Sequence, residues 1–534
     1  MTLVAVLAYW QVYAREPLAN DPANSLQSQR VQEVPRGLIL AGDGETELAR
    51  SEQEDDGTYS RVYPERSLYA GVTGYWSTRY GASGLEIGEN SNLSGTGEPE
   101  TLDELINQVS GGPQAGNDVE LTLDPELQRL AYDQLAQSST GRGSVVALNP
   151  ENGEILALAS YPSFDPNNID DNFEELVEDP SFPLVNRATQ GLYPPGSTFK
   201  VITAAAALEA GVKPSDRYRD TGTYETPGYS VYNYRARVYG QQDFQGALTY
   251  SINTIFARIA NESIGAEALA QTAEDFGYGD AYEDFPLPVA PSVLGPPPAQ
   301  WDQGNIAQIS FGQQTVQSNV FEMGLVAGAI ANGGTLMEPR LVREVRSPDG
   351  SILDRPTSRV HSRALAGETT QTLNDMMQRA ITDYETGAEI PGIKVAGKTG
   401  TAEASNDELH SWFIAFAPAD DPEIAIAVLV ENGQEGYKSA LPIARRLMEA
   451  HLRSTGTLSQ ESQRSNQPAG QQNETTQPAR PPETTQPARP PNQAPGQAPN
   501  QAPSQAPNQA PFQFPFQPPA QGPNQVPGKA QPPG

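Results

Sequence analysis

The sequence predicts an α/β fold in which one sheet joins segments from the two ends of an ordered region. Strand-like runs lie within residues 144–159 and again within 393–430, and alanine-rich helical sequence from Ser197 to Ala210 lies between them. A further observation bounds the ordered part. From about Ser454 the chain turns to Gln, Pro, Ala, Asn and Thr, with Glu474 to Pro482 repeated as Glu483 to Pro491 and a Gln-Ala-Pro period beyond. Such residues have almost nothing to bury, so 454–534 is expected to be a disordered, partly polyproline-like tail. A chain of 534 residues, with 48 Gly and 48 Pro unevenly spread, is also too long for one ordinary domain.

Taken in order, residues 1–14 come first. Met1 to Trp10 is apolar and ends in an aromatic pair, and Gln11 to Arg15 turns polar, as at the outer end of a membrane helix. A full span needs about 20 apolar residues. Two readings compete: a partial transmembrane anchor whose inner half precedes Met1, or a short buried helix. The anchor reading is adopted because no cleavage-type signal follows and the motifs below call for a place outside the cytoplasm.

Residues 15–116 predict a small β-rich module, in which Arg36 to Gly44 reads as a short strand closed by a Gly-Asp-Gly turn. Arg61-Val-Tyr-Pro64, Val72 to Trp76 and Gly84-Leu85-Glu86 belong to it, and it stops near Gly116. Residues 117–453 form the main domain. Val119 to Thr122 reads as a strand, and Asp124 caps a helix with Pro125 in its first turn and leucines at helical spacing. Ser144 to Asn149 and Glu154 to Ala159 form a hairpin about an Asn-Gly turn. The helix from Ser197 stops at Gly211, past its C-terminus. Ile393 to Ala402, Ser411 to Phe416 and Ile424 to Val430 read as strands, and Leu441 to Leu452 closes the domain as a helix.

Composition excludes several chemistries. The formal charge of −32 resides almost wholly before the tail, so nucleic acid is not an expected partner. With no cysteine there is no disulfide, zinc-thiolate site or thiol catalysis. The three histidines, His361, His410 and His451, are scattered and in no ligand spacing, so neither a metal nor any other cofactor is expected.

Three short strings carry the chemistry: Ser197-Thr-Phe-Lys200, Ser251-Ile-Asn253 and Lys398-Thr-Gly-Thr401. Together they supply a serine nucleophile, two lysines, a second hydroxyl and a carboxamide, enough to open and remake an acyl bond without histidine or metal. Pro194-Pro195-Gly196 delivers Ser197 to a helix start, where free N–H groups and the positive end of the dipole favour an oxyanion. Lys200, three residues on, lies on the same face and within reach of the serine. To act as base it must be neutral, and burial beside a second cation, for which Lys398 is the obvious source, lowers a lysine in that direction. A Ser-x-x-Lys string alone arises about once or twice by chance in a chain of this length, and its plain reading is a helix cap with an exposed lysine. Ser251-Ile-Asn253 alone is a cap or turn. The conjunction, with gaps of 54 and 201 residues from Ser197, is what indicates one shared site.

At these residues the chain resembles the penicillin-binding proteins, specifically the class B transpeptidases and most closely the penicillin-binding protein A-like members. The resemblance runs from the anchor to about Leu452. It includes Arg36-Gly37, Tyr63-Pro64, Gly84 to Glu86, Leu121 to Asp124, Leu127-Gln128, Asn186-Arg187-Ala188, Tyr193 to Lys200, Ile309 to Gln313, Ala331 to Gly334 and Ala396 to Glu403. It implies a penicillin-binding/serine β-lactamase-like transpeptidase domain with a central antiparallel sheet, flanking helices and an all-helical subregion. It further implies that Ser197 attacks the penultimate D-Ala carbonyl of a peptidoglycan stem peptide while Lys200 takes its proton. Ser251 would pass a proton to the departing D-Ala, Asn253 would hold the donor amide, and Lys398 would bias the field. Thr399 and Thr401, with Gly400 between them on the substrate-binding strand, would receive the terminal carboxylate. The N–H groups of Ser197 and Thr401 would form the oxyanion hole, an element that contributes about 3 kcal/mol elsewhere. Stem peptides and β-lactams are the implied ligands. The implied location is the cell membrane, with one anchor and the catalytic domain outside the cytoplasm. One departure stands at Gln314, where many relatives have glycine.

Other residues are read more plainly. Trp412 and Phe413 are core residues of a strand; His410 either touches substrate or makes a structural hydrogen bond; Tyr224 to Tyr239 is a surface loop near the cleft. Rival functions of the same motifs are a D,D-carboxypeptidase, a β-lactamase or β-lactam sensor, and a non-catalytic scaffold. Hydrolysis needs a placed base for water, and no carboxylate in the sequence identifies itself as one. An intact Ser197, Lys200 and Lys398 argue against a scaffold. Residues 15–116 leave no room for a glycan-polymerising domain, so the resemblance implies a membrane glycosyltransferase partner of the SEDS family.

Overall fold

In the computed structural model, which describes residues 34–95, 115–403 and 408–458, the run Ile424–Val430 is the middle strand of a five-stranded sheet. The order is Ala396–Glu403, Leu409–Ala417, Ile424–Val430, Gly143–Leu148 and Ile155–Tyr161, every pair antiparallel. The sheet therefore joins both ends of the ordered region. All seven residues of IAIAVLV are buried because both faces of this strand are covered, the condition under which a strand loses its polar alternation. Ile424, Ile426, Val428 and Val430 share a core with Leu127 and Leu135 of helix Pro125–Ala136 and with Leu441 and Leu447 of helix Ala440–Ser454. Ala425, Ala427 and Leu429 face the other core, against helix Val320–Ala331. That helix lies close to the sheet: a Cβ on Gly328 would sit 2.9 Å from Leu148 Cδ1. The predicted cap is present, with the Asp124 side chain accepting from the N–H groups of Glu126 and Leu127.

The second sheet is six-stranded, in the order Ile352–Asp354, Val342–Arg346, Asp118–Leu121, Ile39–Leu40, Glu47–Gln53 and Tyr59–Val62. Ile39–Leu40 pairs with Asp118–Leu121 in parallel and with Glu47–Gln53 antiparallel. The expected boundary between 116 and 117 thus runs through a sheet that takes strands from both sides, including Val342–Arg346 from far along the chain. Sequence spacing carries no sign of that pairing. The residues singled out in the module converge on one buried carboxylate. Glu86 accepts from Arg36 Nε at 2.9 Å, Arg61 Nε at 2.6 Å and the Tyr63 hydroxyl at 3.2 Å, and the Arg36 guanidinium lies over Trp76.

An all-helical subregion packs beside the central sheet, with Lys200–Glu209 against Ala266–Asp275, and Phe244–Thr249 against Gly367–Asp383. The reading of Tyr224 to Tyr239 as a loop is corrected over its first part, to Tyr232. Thr223–Thr226 and Tyr229–Tyr232 form an antiparallel hairpin about Pro227-Gly228, Gly228 having φ of +81°. Alternating Thr, Tyr and Val around a Pro-Gly turn are hairpin chemistry, masked here by the density of polar residues. Among the described residues no helix is long and apolar enough to cross a membrane. The expected anchor at 1–14 and the tail beyond 458 lie outside the described residues.

Glu322, on the helix that backs the sheet, accepts from the N–H groups of Ser292 and Gly279, yet burial pushes its carboxyl up to about 7. A carboxyl raised above its unfolded value stabilises the fold fully below about pH 4.5, and loses that contribution as pH rises through about 7, a loss of roughly 3 kcal/mol. Between pH 5 and pH 8 the wild-type melting temperature is therefore expected to fall relative to that of Glu322→Gln. A pH-independent gap between the two curves would contradict this reading of Glu322.

Candidate active site

Ser197 is presented by a single 3-10 turn, Gly196–Phe199, which continues into helix Lys200–Glu209. The turn is clamped by close backbone contacts that only glycine permits. Gly196 has φ of +54°, and a Cβ there would sit 2.5 Å from the Thr401 carbonyl oxygen. Gly400 faces the same turn, where a Cβ would meet the Pro195 carbonyl oxygen and Thr198 Cγ2 at 2.8 Å. The Gly196 N–H donates to the Gly312 carbonyl, and Trp412 Nε1 donates to the Pro194 carbonyl at 2.9 Å. Trp412 is thus a core residue that also fixes the approach to the serine. Past Gly312, Gln314 adopts φ of +68°, a left-handed position at which glycine carries no steric cost.

The second motif comes from a helix end. Helix Phe244–Thr249 closes with the Ser251 N–H bonded to the Leu248 carbonyl and the Ile252 N–H to the Ala247 carbonyl, the Schellman pattern, which places Ser251 in the left-handed residue position with φ of +58°. A serine where glycine is usual holds backbone strain of about 1–2 kcal/mol, a feature found at functional sites. Asn253 opens the next helix, Asn253–Ile259, and its Nδ2 donates to the Tyr232 carbonyl of the hairpin.

All of these meet at Lys200. Its Nζ lies 3.1 Å from Ser197 Oγ, 3.1 Å from Ser251 Oγ, 2.9 Å from the Ser251 carbonyl oxygen and 2.6 Å from Asn253 Oδ1. Burial, and then the charge of Lys398, hold its amine well below the ordinary lysine range. Lys398 is itself fully buried; burial lowers its amine, Glu385 opposes this, and Nζ donates to the Thr399 carbonyl at 3.0 Å. The Thr401 hydroxyl oxygen accepts from the Gly436 N–H at 3.2 Å.

His410 makes a structural hydrogen bond: Nδ1 accepts from the Asn432 N–H at 3.2 Å, and the ring stands edge-on to Tyr193. Two carboxylates belong to no motif in the sequence. Glu431 accepts from Tyr193 Oη and Arg187 Nε, both at 2.8 Å, and so anchors the segment leading to Ser197. Glu385 is buried and accepts a hydrogen bond from the Thr399 hydroxyl, with Lys398 Nζ 3.9 Å from the same oxygen. Neither stands at a telling distance from a motif, and only the fold brings them in.

Comparison with known proteins adds independent findings. The family model described as penicillin binding protein transpeptidase domain matches residues 143–449, and that described as penicillin binding protein A dimerisation domain matches 36–119. The chain is 36% identical over 477 residues to the peptidoglycan D,D-transpeptidase PbpA of Mycolicibacterium smegmatis, covering 84% of this chain and 96% of that protein. It is similar to the penicillin G acyl-enzyme of penicillin-binding protein A from Mycobacterium tuberculosis, with a TM-score of 0.72 and 36% identity over 78% of this chain and all of that one. It is likewise similar to the ceftriaxone acyl-enzyme of that protein, with a TM-score of 0.74 and 35% identity over 80% of this chain.

Proposed function

Because the chain belongs to the penicillin-binding protein transpeptidases, in their penicillin-binding protein A-like branch, we propose that Ser197, Lys200, Ser251 and Lys398 carry its reaction and that Asn253 and the Thr399-Gly400-Thr401 strand bind its substrate. The enzyme is a peptidoglycan D,D-transpeptidase of cell wall synthesis that β-lactams acylate. One observation carries the assignment of roles: a single buried amine within 3.1 Å of two hydroxyls. A neutral lysine has two N–H donors and one lone pair. The donors match the Ser251 carbonyl and Asn253 Oδ1, and the lone pair is left for the Ser197 proton.

In the first half-reaction Ser197 Oγ bonds to the penultimate D-Ala carbonyl carbon as its proton passes to Lys200. The tetrahedral oxyanion is received by the N–H groups of Ser197 and Thr401. Its collapse breaks the C–N bond, and the leaving D-Ala amine takes a proton from Ser251, which Lys200 replenishes. In the second half an acceptor amine attacks the ester, its proton returns through Lys200, and Ser197 is released. We place the catalytic domain outside the cytoplasm behind a single anchor, working beside a SEDS-family glycosyltransferase during growth or division. This rests on the location of the substrate.

The hydrolase alternative needs an activated water. Among the described residues no carboxylate hydrogen-bonds Ser197, Lys200 or Ser251. With each tenfold in rate requiring about 1.4 kcal/mol of barrier reduction, deacylation by water is expected to be slow. Intact-mass analysis with penicillin is expected to show one adduct that persists for many minutes at neutral pH. Ser197→Ala is expected to fold and gain no mass. Acylation of that variant would overturn the nucleophile, and rapid multiple turnover of penicillin would favour the hydrolase.

A further inference from the structure

Thr399 and Thr401 share one face of their strand, so both hydroxyls are available to a ligand carboxylate by position alone. Their hydrogen bonds differ. Thr401 accepts a backbone N–H from Gly436 and keeps its own proton to give. The Thr399 hydroxyl donates its hydrogen bond to Glu385. That carboxyl is held from both sides in the turn after helix Gly367–Asp383: the Glu385 N–H donates to the Ala380 carbonyl, and its own carbonyl accepts from the Ala388 N–H, both at 2.9 Å. It is 5% exposed, and the fully buried Lys398 ammonium faces it.

The charged groups acting on one another here form a short line. Burial pushes the Glu385 carboxyl up and Lys398 opposes this, burial lowers the Lys398 amine and Glu385 opposes that, and Lys398 adds to the lowering that burial imposes on Lys200. The segment whose Gly436 lies against Thr399 and Gly400 carries the buried Glu435, which is paired with Arg235 and Lys438. Asp375, Arg379 and Asp383 of the preceding helix are exposed, and helix Ala440–Ser454 presents Leu441 to the turn at Gly387.

We propose that Glu385 is a positioning residue of this active site: its carboxylate keeps Lys398 cationic, so that Lys200 stays neutral, and by accepting the Thr399 hydroxyl's hydrogen bond it leaves Thr401 as the hydroxyl donor to the substrate's terminal carboxylate. This rests on the roles proposed above for Lys200 and Lys398. A buried ammonium without a counter-charge gives up its proton more readily, and with that cation gone the second lysine holds its own proton to higher pH. Glu385 therefore acts on the base from two residues away, through charge rather than contact.

The test is the rate of penicillin G acylation by the full chain, measured by stopped-flow from pH 5.5 to 9 for wild type, Glu385→Gln and Glu385→Asp. Glu385→Gln is expected to move the acid limb of acylation up by about one pH unit, with a roughly tenfold loss at pH 6 that closes by pH 9. Glu385→Asp, which keeps the charge, is expected to retain the wild-type limb at a modestly lower rate. A loss of equal size at every pH, as from mere loosening of the turn, would overturn the proposal. So would a shift of the same size in the aspartate variant. If wild type gained no penicilloyl mass at all, the Ser197 reading would fail first, and this proposal with it.

Discussion

Lys200→Ala is expected to lower the acylation rate about 10²–10⁴-fold, the usual contribution of a positioned general base. The size follows from how much converges on one atom. Nζ is the hydrogen-bond hub of Ser197, Ser251 and Asn253, and no histidine stands near to substitute. His410 uses Nδ1 on the Asn432 N–H, and His361 is paired with Asp280 and Glu338. Stopped-flow acylation with penicillin G checks this across pH. A variant within tenfold of wild type would mean that another group takes the Ser197 proton.

Glu86→Ala is expected to destabilise the N-terminal module by about 3–5 kcal/mol, the cost of leaving buried charge without its partner. Arg36 and Arg61 are 4% and 2% exposed in their side chains, and both bond Glu86. Burial opposes ionisation of the Glu86 carboxyl, and the two guanidiniums overcome it, holding it below the usual carboxylate range. Removing it leaves two cations and the Tyr63 hydroxyl facing one another in a site closed to water. Calorimetry is expected to show an earlier unfolding transition for the variant. A change under about 1 kcal/mol would show that the module redistributes its charge, and would remove the ion cluster as the reason for Arg36, Arg61 and Glu86 together.

Lys200 is legible as a base candidate from three strings in order, and the chemistry asked of it requires a neutral amine. The role of Glu86 was not visible. Arg36, Arg61 and Gly84-Leu85-Glu86 stood out in the sequence as pieces of a module, yet nothing in their spacing says that one carboxylate serves two arginines. The same division holds around Ser251. Its string reads as a cap or turn, and a cap is what it forms, but the left-handed backbone that aims the hydroxyl at Lys200 comes from the end of helix Phe244–Thr249.

Local chemistry thus determined the elements and the groups proposed to react. Asp124 before Pro125 starts a helix, an apolar run such as Ile424–Val430 makes a strand covered on both faces, and a serine three residues before a lysine shares a helix face with it. These depend on hydrogen bonds and periodicities a few residues long, which the sequence states directly. Tertiary structure alone decided that Asp118–Leu121 bridges Ile39–Leu40 and Val342–Arg346, and that Thr223 to Tyr232 folds back as a hairpin over Asn253. It also decided that Glu431 and Glu385 stand behind the first and third motifs. Those contacts join residues far apart in the chain, and their energy arises from excluding water around charges that are unremarkable until the fold buries them.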